Sequence, residues 1–322
     1  MKSHDKLSTN PLRVILNGKK AGDEAVRSAI YQLRDEGCPI EVRTTWEAGD
    51  MERLIAEAIK ERVKRLLIGG GDGSVNEAVS ALLELPPESR PELAILPLGT
   101  ANDFASACKI PIAPIDALRL ALTGDAIEID AVRANDRAFM NVATAGIGAQ
   151  ITAETPEQLK NFLGGGAYTL MGLIKAVNFT PYESGLSTSS KELSGKVIVG
   201  AVCNGPQAGG GQPLAPDARI NDGLIDVIAV LEFPAKDLDI VVKEVLDPEM
   251  DGKYVKRLKV DKLQVWSDKR MPINPDDEPY KADRFEFTVL PRAIAMVLPA
   301  GCPLILLSRT VQLLRLATGL LR

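Results

Sequence analysis

Histidine is almost missing from this chain: His4 is the only one in 322 residues. The four cysteines, Cys38, Cys108, Cys203 and Cys302, are far apart and have no paired-ligand spacing. A zinc centre is therefore not expected. Nor do scattered cysteines make a disulfide framework, and reduced thiols in a cytosolic protein are the simplest account. There is no excess of basic residues either. Lys and Arg number 38 against 43 Asp and Glu, a formal net charge of −5 with no long basic run to offset it. That balance argues against nucleic acid as a partner. The opening Met1-Lys2-Ser3-His4-Asp5-Lys6 leads into too short an apolar stretch for a signal peptide. No segment before residue 303 approaches transmembrane length. Tryptophan is limited to Trp46 and Trp266, expected to be packing residues rather than platforms for bases.

What remains is ordinary for a folded protein, with 45% hydrophobic and 25% charged residues. A chain of this length exceeds what one core usually holds, so two domains are expected. The first third alternates apolar runs with helical spacing. Leu12–Asn17, Ile40–Trp46, Arg65–Ile68 and Leu93–Leu98 read as strands, and residues 22–36, 50–62, 74–84 and 114–123 as helices. Gly37, Gly49 and Gly124 sit at plausible boundaries. This is the pattern of a parallel sheet with helices on both faces. After Gly124 it changes. Ala126–Arg133 and Arg137–Thr144 read as a hairpin around Asn135-Asp136, followed by strands at Lys196–Cys203, Leu224–Leu231, Arg257–Trp266 and Arg284–Val289. Thr155–Asn178 and Pro234–Leu246 read as helices within this β-rich part.

Two junctions carry the functional information. At the first, Arg65-Leu66-Leu67-Ile68 runs into Gly69-Gly70-Gly71-Asp72-Gly73-Ser74 and then a helix whose Val75, Val79, Leu82 and Leu83 share one face. Glycines at a strand-to-helix turn let backbone N–H groups approach a ligand, and the helix N-terminus adds partial positive charge. Such a turn suits a phosphate, although a tight turn that needs only small residues would look the same. It has neither the Gly-Lys-Ser/Thr ending of a P-loop nor the dinucleotide-binding glycine spacing. At the second junction, the run ending at Leu98 meets Gly99-Thr100-Ala101-Asn102-Asp103-Phe104, where Asn102 or Asp103 could cap a helix. In an open parallel sheet the strand C-termini share one crevice, so the two turns face the same ligand.

These two motifs resemble the diacylglycerol kinase catalytic domain. Further segments extend the match: Asn17-Gly18-Lys19, Thr45-Trp46-Glu47, Asn141-Val142-Ala143-Thr144, Thr152–Glu157, Asn204–Gly211 and Ile220–Leu224. Together they are similar to the YegS-type bacterial lipid kinases, from about residue 12 to about 303. The resemblance implies an α/β nucleotide-binding domain over residues 1–125. A β-sandwich-like second domain would follow over 126–302, with the chemistry in the cleft between them. It implies ATP as phosphoryl donor, with Gly71, Asp72, Gly73, Ser74, Val75, Asn76 and Glu77 around its phosphates and Thr45 and Thr100 also on the nucleotide. It implies Mg2+, with Ca2+ able to substitute, on the Asp222 carboxylate and the carbonyls of Arg219 and Leu224. Oxygen ligands in a tight turn suit such a hard cation.

In Asn274-Pro275-Asp276-Asp277-Glu278-Pro279 the resemblance makes Glu278 the general base for the lipid hydroxyl. Asp277 departs from the family, which has glycine there. The implied acceptor is a phosphatidylglycerol- or diacylglycerol-like lipid at a membrane surface, with the protein cytoplasmic or peripheral at the inner face. A kinase of a soluble acceptor such as NAD is the alternative, although Asn221-Asp222-Gly223 stands where an acceptor-binding Asn-Glu pair would be expected. A nucleotide-dependent lipid-binding protein that has lost turnover is the other. Residues 303–322 have no acids and three arginines on an amphipathic pattern. They read as a helix that either lies on an anionic bilayer or packs back on the protein.

Overall fold

A computed structural model describes residues 11–146, 181–247, 252–276 and 280–306. Four parallel strands, β1 (Leu12–Leu16), β2 (Ile40–Thr44), β3 (Arg65–Gly70) and β4 (Glu92–Pro97), lie in the order β2-β1-β3-β4. Successive strand residues point to opposite faces. Ile15, Leu66, Ile68, Leu93 and Ile95 therefore enter one core, and Val14, Leu16, Leu67, Ala94 and Leu96 the other. Both faces are apolar and both are covered. Helices α2 (Asp50–Lys60) and α3 (Asp72–Leu83) close the first, and α1 (Glu24–Asp35) and α5 (Pro114–Thr123) the second. The helix ends follow local chemistry. The Asp23 carboxylate accepts from the Ala25 and Val26 amides to start α1. Gly37, at φ 89°, ends it, with Cys38 N–H reaching back to the Leu33 carbonyl.

The rest of the chain folds around a second core that includes Val132, Phe139, Val202, Leu263, Phe285 and Phe287. β5 (Ala126–Ala134) and β6 (Arg137–Phe139) form a hairpin at the expected turn, with Asn135 left-handed at φ 55°. The second arm expected over Arg137–Thr144 breaks after Phe139, and its remainder pairs with the strands Lys262–Pro275 and Glu192–Cys203 instead. β7 (Val142–Gly146), β8 (Tyr182–Ser187), β9 (Glu192–Cys203) and β12 (Ile225–Leu231) follow, with a small β10–β11 pair (Gln207–Ala208 and Gln212–Pro213) between the last two. After α6 (Leu238–Leu246) come β13 (Val255–Val260), β14 (Lys262–Pro275) and β15 (Tyr280–Val297). β15 is the joint. It pairs antiparallel with β14 and β5 and meets β4 in parallel at Met296 and Leu93. One thirteen-stranded sheet therefore runs through both halves.

Several expectations need correction. The single strand expected over Arg257–Trp266 is two strands that turn at Asp261, because β13 pairs with β12 while β14 pairs with β15. Strand β8 and the short helix α4 (Asp103–Ala107) went unread. Trp46 is not a packing residue, being 93% exposed. The helix expected over Thr155–Asn178 and the Gly164–Gly166 loop lie outside the described residues. So do residues 307–322 of the expected C-terminal helix. Residues 303–306 form a turn that belongs to the body of the protein, with Leu304 buried and its carbonyl accepting from Ile220 N–H at 3.1 Å. Among the described residues no helix is long and apolar enough to cross a membrane.

Candidate active site

The chain leaves β1 toward β2 on one side and returns to β3 on the other, so the carboxyl ends of β1 and β3 flank the sheet's switch point. The first glycine turn sits there. Gly71 is the N-cap of α3 in extended conformation (φ −92°, ψ −172°), and no side chain caps the helix. Its first-turn amides thus keep the helix-terminal partial charge for a ligand. The second turn packs directly against the first. A Cβ on Gly99 would stand 2.5 Å from Gly71 Cα, and one on Gly71 would stand 3.1 Å from Gly99 Cα. Leu98 N–H donates to Gly70 O at 2.8 Å. Gly73 has open space around it and is exposed. The glycines therefore divide between fitting the two turns together and leaving the helix end accessible.

The side chains of this segment have separate duties. Ser74 is buried beneath Gly70, and its Oγ accepts from Asn17 Nδ2 at 3.1 Å. Val75 belongs to the core, and Asn76 is 2% exposed with a buried Oδ1 that has no hydrogen-bond partner among the described residues. Any contact of Ser74 with a ligand would thus run through the backbone, and the Val75 amide already donates to Gly71 O at 3.2 Å. Asp72 turns away from the helix it begins. Its two oxygens accept from the Asp103 and Phe104 amides at 3.0 and 3.2 Å and so cap α4. Asn102, one of the two residues expected as a cap, is left-handed at φ 51° and instead exchanges two 2.8 Å bonds with the Gly99 backbone. Thr100 stays exposed beside it.

Asp103 then reaches into the second half of the protein. Its carboxylate is buried and accepts from Gly210 N–H at 2.9 Å and Gly211 N–H at 2.6 Å. Gly209, Gly210 and Gly211 all lie at positive φ, which favours glycine and lets consecutive amides converge on one anion. The glycine triplet is thus a clamp on α4, a role the sequence alone did not assign. Asp276 does the same from β14. It accepts from the Met140, Asn141 and Val142 amides at 2.7, 3.1 and 2.9 Å. Burial pushes its carboxyl up to about 7 against the pull of those amides, and the Asp72 charge adds to the rise. Glu278, the expected base, lies outside the described residues, as does Asp277. The loop that carries them leaves β14 at Asp276 and re-enters at Tyr280, whose OH donates to Ala134 O at 3.2 Å.

The Asp222 turn is anchored on β5 and on the C-terminal segment. Gly223 N–H donates to Asp130 Oδ2 at 2.7 Å, and Asn221 exchanges bonds with the Leu306 backbone. Asp222 Oδ1 accepts from Leu224 N–H at 3.1 Å. Its Oδ2 is 2.9 Å from Lys259 Nζ, which also lies 3.4 Å from Asp226. A carboxylate in a turn has the right donor chemistry for Mg2+, but here it already holds an ammonium, which it shares with Asp226. No group of three or more His, Cys, Asp or Glu among the described residues is arranged to hold a metal. A cation on Asp222 Oδ2 would compete with the Lys259 ion pair.

Residues 11–134 match the model of the diacylglycerol kinase catalytic domain, and residues 141–298 match the YegS C-terminal NAD kinase beta sandwich-like domain. Over 293 residues the chain is 48% identical to a Shewanella frigidimarina protein named "Probable lipid kinase YegS-like", covering 91% of this chain and 95% of that one. The chain belongs to the YegS-like lipid kinase family. A Yersinia enterocolitica protein of the same name is 43% identical, with 91% of this chain and 98% of the relative covered. A Bacillus anthracis protein solved as a candidate diacylglycerol kinase shares the fold at TM-score 0.78 and 21% identity, covering 94% and 99% of the two chains.

In this YegS-like kinase the fold brings Gly71–Glu77 and Thr100 together. Thr45 stands two strands away at the end of β2, its Oγ1 accepting from Gly18 N–H at 3.2 Å. Arg219, Asp222 and Leu224 form their own turn beside β5. Of three carboxylates that organise these parts, Asp103 was read from the sequence only as a possible helix cap, and the structural roles of Asp130 and Asp276 were not read at all. For Asp103 and Asp276 a signal was present, since each sits inside a motif that also matched the family.

Proposed function

We propose that this chain is an ATP-dependent lipid kinase that transfers the γ-phosphoryl group to a hydroxyl of a glycerolipid of the phosphatidylglycerol or diacylglycerol type. The observation that carries this reading is the pair of abutting glycine turns at the switch point, with an uncapped α3 N-terminus between them. Gly71–Glu77 surround the donor's phosphates, which lie on the first-turn amides of α3, and Thr45 and Thr100 contact the nucleotide. The lipid hydroxyl oxygen attacks the γ-phosphorus, the bond to the β–γ bridging oxygen breaks, and the hydroxyl proton passes to Glu278. The work is mostly positioning, and a placed carboxylate serves by orienting the hydroxyl. Mg2+, or Ca2+ in its place, would sit on Asp222 with the Arg219 and Leu224 carbonyls and supply positive charge once Lys259 gives way.

The acceptor side is supported by an apolar cavity of about 140 Å³ in the β-rich half, lined by Leu186, Leu193, Val227, Leu231, Met271 and Phe285 among others. A space so lined suits hydrocarbon better than the ribose or nicotinamide of NAD. A lipid acceptor also gives the amphipathic stretch at 307–322 a reason to dock the protein on the inner face of the membrane. The test is transfer of label from γ-labelled ATP to a panel of phosphatidylglycerol, diacylglycerol and NAD, by wild type and Glu278→Gln. Label should enter a lipid, and the variant should lose turnover by about a hundredfold or more with ATP affinity unchanged. Label in NAD, or in no acceptor, would overturn the reading.

A further inference from the structure

Trp46 holds its indole 93% in water. The other tryptophan, Trp266, is 39% exposed but lays one face across β8, where a Cβ on Gly185 would come within 2.3 Å of its ring. A single exposed apolar residue is common, but an indole held in solvent on a firmly braced turn is pre-set to stack on a planar ligand. The turn is firmly held. Asp50, 6% exposed at the start of α2, accepts from Trp46 N–H at 2.6 Å and Glu47 N–H at 3.1 Å, and pairs with Arg53. On the other side a Cβ on Gly18 would stand 2.2 Å from Thr45 O, so the β1 and β2 loops are fitted together backbone to backbone. The amides and Arg53 hold the Asp50 carboxyl down at about 2, which keeps the brace ionised at any working pH.

The position also fits. Trp46 follows β2, two strands from the Gly71 turn in the β2-β1-β3 order. Two strand spacings are about 10 Å, comparable to the reach of a nucleotide from its phosphates to its base. With Asp50 paired to Arg53, Glu47 and Glu52 are the remaining charges in the sequence between Arg43 and Lys60 outside the Arg43–Glu57 pair. That acidic balance argues against an anionic bilayer as the occupant of this indole. We infer that Trp46 is the stacking platform for the base of the phosphoryl donor. This rests on the nucleotide-binding reading given above.

The test uses the full chain, with ATP and inorganic tripolyphosphate as probes. Trp46→Ala should raise the Kd for ATP about tenfold by calorimetry, Trp46→Phe should stay close to wild type, and tripolyphosphate should bind all three alike. In a Trp266→Phe background Trp46 is the only tryptophan, and its emission should respond to ATP and not to tripolyphosphate. The inference is overturned if Trp46→Ala binds ATP like wild type, or if it weakens both probes equally. It is equally overturned if Trp46 emission responds to anionic vesicles but not to ATP. If wild type binds no ATP at all, the donor reading itself fails and takes this inference with it.

Discussion

Replacing Asp276 by asparagine should change how stability depends on pH, and the direction follows from the geometry. The carboxylate accepts from three consecutive backbone amides, at 2.7 Å on Oδ2, 2.9 Å on Oδ1 and 3.1 Å from the amide between. An asparagine can offer only one oxygen, so its NH2 must face an N–H donor. That mismatch costs about 1–3 kcal/mol at acid pH. The wild-type group carries a different penalty. Its pKa rises from 3.8 to about 7 on folding. A group raised in the folded state contributes most below its unfolded pKa, and that contribution is lost as pH rises through the folded value. The full shift corresponds to about 4 kcal/mol at 1.36 kcal/mol per pKa unit. Integration of the linkage relation places roughly 2.5 kcal/mol of it between pH 5 and 8. Asp276 retains some solvent contact, so a change of about 1–2.5 kcal/mol is expected. Urea unfolding at pH 5, 6, 7 and 8 should show wild type ahead of Asp276→Asn at pH 5 and the gap closing by that amount by pH 8. Parallel profiles, or a gap that widens with pH, would mean the amide nest holds the carboxylate ionised and that burial is the weaker effect.

Other outcomes follow from the same contacts. Gly73→Ala, with open space around its Cβ, should fold like wild type and lose ATP binding, whereas Gly71→Ala should also lower Tm by forcing Gly99 away; full ATP affinity in Gly73→Ala would remove the phosphate role. Lys259→Met should convert a negligible Tm response to millimolar Mg2+ into a rise of about a few degrees, because Asp222 loses its resident cation; equal responses in the two proteins would show that the ion pair does not compete. Truncation after Leu306, which spares the buried Leu304 turn, should lower sedimentation with anionic vesicles and leave Tm unchanged. Undiminished vesicle binding, or loss of the fold, would assign residues 307–322 to packing.

Much of the first half was legible because its signals are local. Strand runs such as Leu93–Leu98 and the spacing of Val75, Val79, Leu82 and Leu83 are set by period and by burial on both faces, and the structure follows them to within a few residues. The glycine turns were visible for the same reason, since a strand-to-helix turn on a parallel sheet has few solutions. What the sequence by itself did not determine is where each polar side chain turns. Asp72 looks like part of a phosphate loop, yet it caps α4; Asn102 looks like the cap, yet it braces Gly99. Gly209–Gly211 belongs to a segment that matched the family but had no role assigned, and the Gly210 and Gly211 amides close on Asp103, about a hundred residues earlier in the chain. Trp46 looks like core, yet the Asp50 brace holds it in solvent. Apolar periodicity is a property of neighbours in sequence, whereas a carboxylate's choice of amides depends on which distant backbone the fold delivers within about 3 Å. The tertiary structure alone decided those pairings, because a buried anion takes whichever donors the packing brings to it.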